Sequence, residues 1–107
     1  MTKLDLVSLS KPTPPGDLPS SLQALWWLKR GDLVVGTEWK KAHAICQQNE
    51  GKPDYDLIHA LAHWIEGDES NANYWYHKVG AKRAATIAAE WERIVAKIGR
   101  EPSAKSP

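Results

Sequence analysis

Apolar residues recur along this chain at intervals of three and four, the spacing of one helix face, in five separate stretches. The first covers about 19–30, with Leu22, Leu25, Trp26 and Lys29 on one side. Pro19 suits a first helical turn, and Asp17 or Ser20 can cap it. Gly31-Asp32 ends it, with Gly31 placed for a left-handed terminal conformation. The second covers about 38–49, opened by Thr37, with an inner stripe of Trp39, Ala42, Ile45, Cys46 and Asn49. Gly51 and Pro53 stop it. The third, about 54–66, turns Ile58, Leu61, Ala62 and Ile65 inward and ends at Gly67-Asp68. The fourth, about 69–79, carries Ala72, Trp75, Tyr76 and Val79 and stops at Gly80. The fifth, about 83–98, carries Ile87, Trp91, Ile94, Val95 and Ile98 and stops at Gly99.

These stretches predict an all-α fold of five helices: two antiparallel hairpins and a C-terminal closing helix. The flanks differ in composition. Pro12, Pro14 and Pro15 forbid regular helix in residues 1–18, which read as an extended arm packed through Leu4, Leu6, Val7 and Leu9. The end, 100–107, has the composition of a disordered tail, which leaves 19–99 as the helical domain.

The first four helices repeat. Gly31-Asp32 and Gly67-Asp68 lie 36 residues apart, whereas Trp39–Ala42 and Glu69–Ala72 align at a separation of 30. The difference is the length of Leu33–Glu38, an insert in the first turn. A tight Gly-Asp turn followed by an aromatic and a small Ala resembles a tetratricopeptide-type helical repeat, with Trp39 and Ala42 in one hairpin and Ala72, Tyr76 and Val79 in the other. A small residue lets two helices approach, and a ring fills the space one turn on. The strings AHAICQ, HALAHWIEGD and NANYWYHKVG are also similar to a group of short uncharacterised bacterial proteins. Two hairpins fall short of the three repeats that usually stabilise such arrays, so the fifth helix is expected to cap the second hairpin.

His59, His63 and Glu66 follow one another at i, i+4 and i+7 and share a stripe beside the core line of the third helix. Moved back by 36 residues, the stripe falls on Gln23, Trp27 and Arg30. In a tetratricopeptide-like array the first helices line the concave face. The resemblance therefore implies a groove of Gln23, Trp27, Arg30, His59, His63 and Glu66 between the first and third helices, and a protein partner for it. The alternative is a metal site or hydrolase using His59, His63 and Glu66, since two His one turn apart can chelate a divalent ion. Zinc-protease helices place Glu directly after the first His, where this chain has Ala60.

Charge and composition narrow the remaining classes. Net charge is +1, with no overall field for nucleic acid. Residues 1–76 sum to −3 and 77–107 to +4, so weak nucleic-acid binding by the basic C-terminal third is a further alternative. Within the run Tyr74-Trp75-Tyr76, consecutive helical residues point different ways, so only Tyr74 is expected outside the core. The single Cys46 excludes an internal disulfide and a Cys-based zinc cluster. No stretch approaches the roughly 20 apolar residues of a membrane span, and no secretory signal is visible, so a cytoplasmic location is expected. No nucleophile motif, phosphate-cradling loop or paired catalytic carboxylate stands out, so an enzyme is the less expected class and no cofactor is expected.

Overall fold

A computed structural model of the chain describes residues 9–99. The expected tail at 100–107 and the first eight residues of the arm lie outside them. The described residues form five helices: α1 (Ser20–Arg30), α2 (Thr37–Gln47), α3 (Pro53–Ile65), α4 (Glu69–Val79) and α5 (Ile87–Gly99). None is long and apolar enough to cross a membrane.

The helical stripes build one core. Leu22, Leu25 and Trp26 of α1, Trp39, Ala42 and Cys46 of α2, Ile58, Leu61 and Ala62 of α3 and Ala72, Trp75 and Tyr76 of α4 belong to one buried apolar cluster. Residues 56–63 of α3 are buried on every side, because this helix packs against all four others. α5 packs on α1 and α3, the first helices of both hairpins, rather than closing the second hairpin alone. Two indoles tie the layers. Trp39 Nε1 donates to the Ala62 carbonyl at 2.8 Å, joining α2 to α3. Trp91 Nε1 donates to the Leu25 carbonyl at 2.8 Å, joining α5 to α1.

The two Gly-Asp turns are not used alike. After α3, Gly67 takes the left-handed conformation (φ 82°), its N–H bonds to the Trp64 carbonyl, and the Asp68 N–H reaches the His63 carbonyl. That pair of bonds is a Schellman closure. Asp68 then caps α4 by accepting from the Asn71 N–H. After α1 the same closure forms one residue later. Asp32 is left-handed (φ 62°), its N–H bonds to Lys29 and that of Leu33 to Leu28. Gly31 has a negative φ, contrary to expectation; a Cβ there would lie 2.8 Å from Glu38 Cβ, so its role is to let α2 pass close by. Leu33 is left-handed as well (φ 58°), and the closing residues Asp32 and Gly67 stand 35 apart along the chain, not 36.

The start of α5 also differs from expectation. Thr86 caps the helix through Oγ1 to the Ala89 N–H, and the Ala84 N–H is drawn off to the Glu90 carboxylate. Residues 83–86 are therefore connection rather than helix.

Candidate metal centre

Trp39 and His43 lie one turn apart on α2 and so share a face. The bond from Trp39 to the Ala62 carbonyl fixes that face against α3. The indole stacks on the His43 imidazole, with ring centroids 4.8 Å apart and planes at 12°. His43 thereby meets both imidazoles of the α3 stripe edge-on, at 4.8 Å from His59 and 5.3 Å from His63. His59 and His63 stack on each other at 4.7 Å, and Trp75 of α4 covers His59 at 4.4 Å. The result is a three-histidine cluster between two tryptophan walls, shared by α2, α3 and α4.

His59 is 2% exposed and His63 7%, while His43 is half-buried. His43 Nε2 and His59 Nε2 lie 3.1 Å apart, so one donates and the other accepts. His63 Nδ1 lies 2.6 Å from Glu66 Oε2. A carboxylate only accepts, which places the proton of a neutral His63 on Nδ1 and leaves the Nε2 lone pair for another partner. His59 Nδ1 is buried and makes no hydrogen bond within the described residues.

Burial, reinforced by the neighbouring His63 and His43, pushes the His59 imidazole down to about 4. His43 is lowered by burial and by His63, against the opposing pull of Glu66 and Glu50. Both rings are neutral at physiological pH, the form in which imidazole binds a metal.

One nitrogen from each of His43, His59 and His63 lies within 4.8 Å of the other two. Zn–N bonds of about 2.0–2.1 Å in a tetrahedral site set neighbouring nitrogens about 3.3 Å apart. The His43–His59 pair, at 3.1 Å, is near that value, and His63 offers a nitrogen within 4.8 Å of both. Glu66 would act from outside the ligand set, in the carboxylate–histidine–metal relay that fixes tautomer and ring angle. A second group, His63, Glu66 and Asp68, also converges within 4.8 Å and places two carboxylates beside the cluster. Cys46 is no competitor, since burial pushes its thiol far up and keeps it protonated.

The stripe divides in two. His59, His63 and Glu66 come together and gain His43. Gln23 instead donates to the Leu18 carbonyl at 2.8 Å. Trp27 sets its edge against Trp26 at 5.0 Å, with Lys41 Nζ over its ring. Arg30 lies beside the Trp26 ring. Tyr74 is exposed as expected, while Arg83, in the basic C-terminal third, is held by Glu69 and Asn73 and covers Trp64.

His43 is the functional candidate that helical spacing does not reveal, because it joins the others across a helix interface. Its signal lies in topology. In a stack of two hairpins α2 must flank α3, and three of the four His fall on those two segments.

Compared with protein-family models, with curated proteins and with solved structures, the chain matches none.

Proposed function

We propose that this protein binds a transition-metal ion through His43, His59 and His63, with Glu66 orienting His63 from outside the ligand set. The observation that carries the reading is the convergence of three imidazoles, two of them kept neutral by burial and the third aimed by a carboxylate. An all-nitrogen donor set suits Zn²⁺, Co²⁺, Ni²⁺ or Cu²⁺ and disfavours Ca²⁺ and Mg²⁺, which take oxygen ligands. Three protein ligands leave a fourth position for solvent or an exogenous group. The groove reading has less support, because His59 and His63 at 2% and 7% exposure offer a protein partner almost no area.

Equilibrium dialysis against zinc tests the proposal. One tightly held equivalent is expected per native chain, and close to none in His59→Ala or His43→Ala. Cobalt should give the intense visible bands of a tetrahedral site in the native protein alone. Zinc uptake that is absent, or unchanged by both substitutions, refutes the reading.

A further inference from the structure

At the first turn of α3, the chain carries a second feature of different chemistry. A cavity of about 360 Å³ opens between the start of α3, the α4–α5 connection and the outer face of α5. Its apolar wall is Leu57, Val79 and Ala81. Around that wall stand three cations, Lys82, Arg93 and Lys97, against one carboxylate, Asp54. The volume is that of a small-ligand pocket.

Arg93 differs from a surface cation in being held. Glu90, fully buried beneath it, accepts from Arg93 Nε at 2.9 Å and from Nη2 at 2.8 Å. Glu90 is itself fixed by the Tyr76 hydroxyl and the Ala84 N–H, both at 2.8 Å. These bonds use one edge of the guanidinium and leave its Nη1 hydrogens unengaged by that carboxylate. A planar fork fixed in orientation binds an oxyanion with little further ordering. Lys82 and Lys97 are exposed and supply mobile charge beside it. The positive excess noted for residues 77–107 is thus gathered in part around one concavity.

We propose that this cavity binds a small organic anion, with a phosphate or carboxylate head on Arg93, Lys82 and Lys97 and an apolar body against Leu57, Val79 and Ala81. The site shares no residue with the histidine cluster and stands independently of it.

Phenyl phosphate and benzoate, titrated into ¹⁵N-labelled full-length protein, test the proposal, with phenol and inorganic phosphate as the two halves. Saturable shifts are expected at the amides of Leu57, Ala81 and Lys82 with at least one of the whole probes, at Kd about 1 mM or tighter. Phenol and phosphate should each bind several-fold more weakly. The double variant Lys82→Glu/Lys97→Glu, both positions being exposed, should fold normally and weaken the probe by about tenfold or more. His59→Ala should leave the shifts unchanged. Non-saturating shifts, phenol binding as well as phenyl phosphate, or a double variant that binds like the native chain would each overturn the proposal. A short single-stranded oligonucleotide that shifts the same amides at lower concentration would overturn it in favour of nucleic acid.

Discussion

Metal linkage offers the sharpest test because its size can be worked out position by position. A ligand that binds only the native state adds RT ln(1 + [L]/Kd) to stability, about 2.7 kcal/mol at 100 times Kd. A chain of 107 residues melts with an entropy of about 0.22 kcal/mol/K, so native protein at that zinc concentration should gain about 12 °C in Tm. Glu66→Gln keeps a neutral acceptor near His63 Nδ1 but removes the charge that orients the ring. Loss of such an outer partner weakens metal binding about 10- to 100-fold, which leaves about 1.4 to 0.4 kcal/mol and a rise of about 6 to 2 °C. His43→Ala removes one ligand of three and should cut the rise below about 2 °C. His77, exposed on α4, is the control, and His77→Ala should keep the full rise. The assay is thermal unfolding by circular dichroism at fixed free zinc, with each variant also melted in chelator. A zinc-dependent rise equal in native, His43→Ala and Glu66→Gln protein, or lost in His77→Ala, refutes the geometry argued above.

Other perturbations probe the fold. Glu90→Ala orphans the Tyr76 hydroxyl and the Ala84 N–H and leaves Arg93 without its counter-ion; the loss is about 3 kcal/mol by chemical denaturation. Burial pushes the Glu90 carboxyl up, but the bonds from Arg93, Ala84 and Tyr76 outweigh it and hold it below its ordinary value. Its contribution is therefore complete above the usual carboxylate range and is lost as pH falls through and below that range, so the gap between native and Glu90→Ala protein should narrow on acidification. Ala72 is fully buried in the α3–α4 hairpin, so Ala72→Leu should lower stability by about 1–3 kcal/mol through overpacking, and a neutral thermal melt would contradict that close contact. Gly31→Ala should lower Tm by several degrees, because its Cβ meets Glu38 Cβ rather than a yielding side-chain end; an unchanged Tm would place α2 farther off.

How far the sequence reached follows from which forces are local. The stripes on α1 to α5 were legible because burial of one helix face leaves a periodic record, and α4 began and ended as expected between the Asp68 cap and the left-handed Gly80. The start of α5 was not legible, since it depends on the Ala84 N–H being claimed by a carboxylate six residues on. The left-handed turn at Asp32 was hidden because Gly31 beside it is the residue that enters this conformation without cost, whereas Asp does so only occasionally. In the cluster, His59, His63 and Glu66 were legible as one face of one helix. The sixteen residues from His43 to His59 include a turn, and only the packing of α2 on α3 brings the two rings to 3.1 Å.

The internal repeat also supplies a control for whether the histidines are there for stability. Aligned on their Schellman closures, α1 and α3 are offset by 35 residues, which sets Ala24 opposite His59 and Leu28 opposite His63. Those α1 positions are 0% and 1% exposed, so the equivalent helix fills the same places with apolar side chains. Stability gives no reason to replace them with imidazoles. The orphaned His59 Nδ1 costs about 1–3 kcal/mol, which offsets about 0.5–1.5 kcal/mol from stacking on Trp75 and about 0.5–1.5 kcal/mol from the bond to His43 Nε2. His59→Leu keeps an apolar filling of similar bulk and removes the orphan. It should therefore leave the Tm of metal-free protein unchanged to within about 4 °C while abolishing the zinc-dependent rise. A zinc response lost with no cost in metal-free stability would mark a position kept for ligation rather than for packing. If His59→Leu instead melts well below native in chelator, by more than about 4 °C, the imidazole is a packing residue in its own right, and the case for a metal centre loses the argument from the repeat.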